Sequence, residues 1–266
     1  MNGTAKKSIT ATTVAVAAVG GIVLLGTGAA AASTGFSAIG PQSDVTRIDG
    51  TGITGVDMDV RGAEVTVEFH DGDEVELQIE GGSLRGWSLD RDEDELEVRG
   101  PDRGFNWWSP DWLRLEEQRV TLLLPRSTAG LDADLSLDAG SLRVDGEFGE
   151  LSVDMSAGAL SLDGVARSLD AELNAGRADI NLSGVDEASY QVSAGRVVSE
   201  LTGSAPDSVE IDVSAGQLTL TLPDAEYDVR RNVSAGSLNS DLSEQGGSRN
   251  TVRATVSAGT VNLHEG

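Results

Sequence analysis

Hydrophobic positions alternate along most of this chain, and the alternation changes phase at near-regular intervals. Leu151, Val153, Met155 and Ala157 alternate with polar neighbours, the pattern of a strand with one buried face. After Gly158 the phase slips by one, and Leu160 and Leu162 carry the inward face. A period-two pattern changes phase only through an extra residue, which bends the chain. The slip is marked by an Ala-Gly pair at residues 139, 157, 175, 194, 215, 235 and 258, with successive spacings of 18, 18, 19, 21, 20 and 23. The residue before each pair is Asp138, Ser156, Asn174, Ser193, Ser214, Ser234 or Ser257, types whose side chains bond local backbone in turns. The corner reading predicts a left-handed backbone at the glycine and an alanine tucked inside the bend.

A unit that buries one edge of its strands must stack on copies of itself, about 4.8 Å apart. The predicted fold is therefore all-β: a single-stack β-solenoid of roughly nine to ten rungs with repeats of about 20 residues. The second bend of each unit varies ("LDGVARSL", "LSGVDEASY", "LTGSAPDSV", "LPDAEYDV") and is the predicted site of tolerated insertions. Residues 45–125 carry a worn form of the design, with "DVRGAEVTVEF" echoing the corner and "RVTLLLP" paralleling "QLTLTLP". A β-sandwich is the competing architecture, though sandwiches do not repeat one corner motif at one period.

The segments "VDMSAGALSLDG", "IDVSAGQLTLTLPDAEYDV" and "VSAGTVNL" resemble the bacterial β-strand-repeat domain known as "putative adhesin", one of a group of toastrack-like envelope solenoids. The resemblance covers about residues 45–264. It implies a solenoid on a membrane anchor, often beside envelope-stress sensing components, and it supplies no catalytic residues.

Composition adds a compartment and removes some functions. The net charge is −25, from 44 acids and 19 bases, with Lys6 and Lys7 the two lysines. Such a surface repels nucleic acid and anionic headgroups, which excludes DNA, RNA and peripheral electrostatic membrane binding. There is no cysteine, hence no disulfide framework and no thiolate metal site. Ser8 to Gln42 holds no charged residue, and its apolar centre is about the 20 residues a helix needs to cross hydrocarbon. The expected organisation is a cytoplasmic N-terminus (1–7), a transmembrane signal-anchor (8–33), a linker (34–44) and a solenoid (45–266) with a Trp-rich insert (100–119). Lys6 and Lys7 would stay in the cytoplasm and place the solenoid outside. The small-residue run "GAAAAS" offers cleavage instead, which would secrete the domain.

Candidate chemistry is sparse. His70 and His264 lie at opposite ends of the repeats and make no triad or zinc constellation, and no phosphate-cradling or calcium-repeat motif is present. No cofactor is expected. Asp132, Asp134, Asp138, Asp154, Asp163, Asp170 and Asp179 could supply the paired carboxylates of a carbohydrate-active β-helix; the plainer reading makes them the soluble outward positions of an acidic solenoid. In "RGPDRGFNWWSPDWLRLEEQR", Phe105, Trp107, Trp108 and Trp112 could form a sugar-stacking platform or protein hot spot, or simply cap the stack, with Trp87 packed beneath. These observations favour a non-enzymatic interaction or structural role in the cell envelope, in adhesion or stress signalling, with an envelope protein or glycan as partner. The alternatives are the carbohydrate-active enzyme and an end-to-end polymerising scaffold. For the last, the final strand, about Thr260 to Leu263, is expected to leave an unpaired edge for weak self-association.

Overall fold

A computed structural model describes residues 44–81, 86–101 and 118–266 of the chain. The N-terminal part contains β1 (Asp44–Asp49), β2 (Gly55–Val60), β3 (Ala63–His70), β4 (Glu74–Glu80), β5 (Ser88–Asp92), β6 (Glu95–Arg99) and β7 (Arg119–Pro125). A 3-10 turn (Arg126–Thr128) then leads to β8 (Leu131–Ser183), a ladder of 53 residues that bends without breaking. There follow β9 (Glu187–Val192), β10 (Arg196–Thr202), β11 (Ser208–Val213), β12 (Gln217–Leu222), β13 (Tyr227–Val233), β14 (Ser237–Ser240), β15 (Asn250–Val256) and β16 (Thr260–Glu265).

The pairings resolve into two-legged rungs stacked in parallel. The first legs run β6, β2, three passes of β8, β9, β11, β15, β13, and the second legs run β7, β3, the same passes of β8, β10, β12, β16, β14. That makes nine parallel rungs among the described residues, in agreement with the sequence pattern. At the N-terminal end three antiparallel strands close the stack: β5 on β6, β4 on β7, and β1 on β4. Inward side chains of both legs merge into one apolar cluster running from Ile53 to Leu263. Each fully buried Leu or Val in it stabilises the fold by about 1.5–3 kcal/mol. One polar pair crosses that core: Tyr190 Oη lies 2.7 Å from Ser199 Oγ, both buried, and burial pushes the phenol's pKa up.

The Ser-Ala-Gly corner exists, but its parts differ from expectation. The last inward residue before it is Met155, Val192 or Val213, and Ala157, Ala194 and Ala215 face solvent. Two consecutive outward residues turn the vertex, so nothing lies under the alanine for it to fill. The glycine is required by contact more than by φ. Gly158 has φ +136°, yet Gly216 and Gly259 are not left-handed at all. At Gly216 an added Cβ would sit 2.6 Å from Val192 Cγ1 and 2.9 Å from the Gly195 carbonyl oxygen. Gly158 lies on Gly140, Gly176 on Gly158, Gly195 on Gly176, Gly216 on Gly195, Gly259 on Gly216 and Gly236 on Gly259, each with its missing Cβ aimed at a carbonyl. The corner is a glycine ladder in which backbone packs on backbone.

The order of rungs departs from the order of the chain at both ends. β2/β3 stacks inside β6/β7, and β15/β16 is inserted between β11/β12 and β13/β14. The expected bare C-terminal strand is therefore wrong, because Thr260–Leu263 pairs with β12 on one side and β14 on the other. The outer rung is β13/β14 instead. In it Arg231 and Ser240 occupy register positions that are Ala254 and Leu263 one rung inward. Arg231 pairs with Glu244, and Gln245 N–H donates to the Tyr227 carbonyl. A charge at an inward position and a segment folded over the edge are devices that blunt strand addition. The predicted membrane segment, 8–33, lies outside the described residues, and no helix among those described is long and apolar enough to cross a membrane.

Candidate functional site

Stacking in register turns single outward residues into columns. On the first legs Glu97 opposes Asp57, and Asp57 opposes Asp134. Parallel rungs hold such side chains about one strand spacing apart, where like charges repel. Desolvation, with the charges of Asp57 and Asp154, raises the Asp134 pKa above the ordinary carboxylate value. Farther along, Asp170, Ser189, Glu210, Arg253 and Arg230 form one outward column, while Glu172, Gln191, Asp212, Thr255 and Asn232 form its neighbour. The first of these columns thus changes from acidic to basic along the stack, while the second ends in neutral residues. The second legs present a mixed face, on which Val198, Thr219, Asn262 and Asn239 share a column.

The seven aspartates singled out in the sequence do not converge. Asp134, Asp154 and Asp170 face outward on the first legs, and Asp163 and Asp179 on the second. Asp132 caps a bend by accepting from the Glu150 N–H at 2.7 Å, and Asp138 meets Arg61 at the corner at 3.2 Å. His264 is exposed and pairs with Asp241 at 3.0 Å, whereas the His70 ring bonds locally to the Glu74 carbonyl at 2.8 Å.

Phe105, Trp107, Trp108 and Trp112 lie outside the described residues, but their point of attachment is defined. β6 and β7 pair with β2 and β3, and β2 and β3 are joined through Arg61 and Gly62. The chain therefore leaves β6 at Gly100 and re-enters β7 after Gln118 at the level of that corner, on the next rung out. Both roots are tied down: Gly100 N–H donates to the Asp59 carbonyl at 2.8 Å, and Glu64 N–H to the Gln118 carbonyl at 3.0 Å. Trp87 packs against the core beside this root, its ring 3.5 Å from where a Gly100 Cβ would be. Its indole Nε1 is buried without a hydrogen-bond partner among the described residues.

Residues 53–264 match the family model described as "Toastrack DUF4097". Comparison with curated proteins gives no significant match. Among solved structures, the chain is similar to a "putative cell adhesion protein" from Clostridium sporogenes (13% identity, TM-score 0.43, covering 85% of this chain and 100% of that one). It is also similar to "putative adhesins" from Parabacteroides merdae (13%, TM-score 0.41, 84% and 96%) and Bacteroides fragilis (10%, TM-score 0.38, 84% and 97%).

Proposed function

The chain belongs to the Toastrack DUF4097 family, and from that premise and its surface we propose a non-enzymatic interaction or structural role in the cell envelope. The carrying observation is the register of the outward columns. Their side chains repeat at strand spacing over two open faces, as in Glu97–Asp57–Asp134 on the first legs and Thr219–Asn262–Asn239 on the second. Such a surface engages an extended partner along its length, whereas hydrolysis of a glycan needs two carboxylates held across one bond. The aspartates singled out in the sequence are divided between the two faces, and the acids that do stand together, Glu97, Asp57 and Asp134, form a row along the stack and not a pair facing across a cleft.

The same proposal places the solenoid outside the membrane on a single N-terminal span, with the Trp-rich insert offered to an envelope protein or glycan. Lys6 and Lys7 ahead of the uncharged stretch Ser8 to Gln42 support that orientation. Fractionation of cells carrying a C-terminally tagged protein tests it. The tag should sediment with membranes and be removed by protease added to wall-stripped cells. A tag that stays protease-resistant until the cells are lysed would overturn the placement, and a mature N-terminus near residues 31–33 would convert the anchor into a secretion signal.

A further inference from the structure

Away from the corner, at the opposite bend of the early rungs, the surface opens into a cavity of about 460 Å³. Its floor combines the Phe69 ring, Ala129 and the exposed Val165 with the polar backbones of Gly146 and Gly164. Gly146 is what makes the floor. A Cβ there would strike the Phe69 ring, which in turn meets Phe148 edge-on with centroids 5.5 Å apart.

The rim is acidic. Glu68, Asp145 and Glu147 line the cavity, and none of them forms an ion pair among the described residues. Arg126, the cation that also lines it, is engaged by Asp71 at 2.7 Å. Glu68 and Asp145 are directly opposed across two parallel strands, an arrangement that costs stability when no cation lies between them.

We propose that this cavity docks a lysine side chain of a partner protein. The four-methylene stem would lie on Phe69, Val165 and the glycine strip, and the ammonium would reach Glu68 and Asp145. A long alkyl stem ending in one cation matches a patch of Phe69, Ala129 and Val165 side chains beside opposed carboxylates. The ring adds attraction for a cation within about 6 Å of its centroid. This reading names partner chemistry for the interaction role but does not depend on the membrane placement.

The test is titration of the ¹⁵N-labelled protein with Nα-acetyl-lysine methylamide, followed by amide shifts. Saturable shifts should concentrate at Glu68, Phe69, Asp145 to Glu147 and Val165. Nα-acetyl-norleucine methylamide, equal in stem but lacking the charge, should bind at least about fivefold more weakly, as expected for loss of about 1 kcal/mol. Glu68→Gln with Asp145→Asn should lose affinity for the lysine probe by a similar factor; these changes relieve repulsion and leave the fold intact. The distant pair Asp170→Asn with Asp212→Asn should change nothing. Equal binding by the norleucine probe, shifts that follow the acids of the first-leg face, or undiminished affinity in the Glu68/Asp145 variant would each overturn the proposal.

Discussion

At the Ser-Ala-Gly corner every glycine rests on a carbonyl one rung away, while at the opposite bend that contact is made by Gly164 on Gly146 and then lapses. A Cβ at Gly184 would meet nothing closer than 3.7 Å, and one at Gly203 nothing closer than 3.6 Å. Both bends turn the same chain through the same rungs. The corner does so by backbone contact, which fixes its length and composition. The opposite bend does so with side chains and slack, so its sequence varies and its surface opens into a cavity. Where the corner ladder runs out, at Ala63, the next rung out has the chain leaving at Gly100 and returning at Gln118.

The largest effects should follow from filling the ladder. Gly176→Val places a branched side chain against Gly158 at φ +126° and should cost on the order of 3 kcal/mol or more, enough to show as loss of the cooperative melt. Ala175→Val, one residue away but exposed, should shift stability by less than about 0.5 kcal/mol. Similar losses at both positions would dissolve the distinction between ladder and vertex.

Between the bends, the legs should respond at an intermediate level. Tyr190→Phe removes the partner of the buried Ser199 hydroxyl and should cost about 1–3 kcal/mol in urea unfolding. Adding Ser199→Ala to it should recover part of the loss, because the orphaned hydroxyl goes too. No recovery would mean that packing of the ring, and not the hydrogen bond, sets the cost.

At the outer rung the ladder continues through Gly236 but the inward column ends in Arg231. Arg231→Leu removes the charge that blunts this edge, and sedimentation should then show stronger self-association than that of the parent protein. A monomeric variant would assign the protection to the Glu244–Gln245 segment instead.

A small effect of opposite sign is expected on the first-leg face. The folded state raises the pKa of Asp134, so the folded protein holds that proton more tightly than the unfolded chain does. The stability linked to it is full in acid and is lost as pH rises through the raised carboxylate range. Asp134→Asn should therefore stabilise the protein slightly at neutral pH, by no more than about a few tenths of a kcal/mol because water screens so exposed a group, an advantage that fades as the medium becomes acidic. A benefit independent of pH would trace the effect to something other than charge.

The corner was legible from the phase slip alone, and so were the two-legged rung and its repeat. The positions of its parts were not. An alternation that breaks at "MSAGAL" allows either Ala157 or Met155 to be the last inward residue, and only the three-dimensional path shows two outward residues in succession. The swapped C-terminal rungs were hidden for a different reason, since parallel rungs with the same corner are interchangeable by pattern. A signal was nonetheless present: "YDVRRNVSAGSLNS" puts Arg231 and Ser240 in the inward phase, whereas "TVRATVSAGTVNL" keeps that phase apolar. The chain places its polar-centred rung outermost. The cavity left no mark in the sequence, because it joins Phe69 to Gly146 and Val165 across three rungs. For the insert, the departure from the repeat was visible, and the structure adds that it leaves from the corner line.

Whether backbone-to-backbone contact holds the corner is decided by urea unfolding of three glycine-to-alanine variants. Gly158→Ala meets the Gly140 carbonyl, Gly203→Ala has a left-handed φ of +90° but room, and Gly246→Ala has nothing within 4 Å. The account predicts a loss of about 3 kcal/mol or more at Gly158, about 1 kcal/mol at Gly203, and no loss or a slight gain at Gly246. Equal losses at Gly158 and Gly203 would contradict it, since backbone conformation alone would then explain why the chain returns to glycine at every turn.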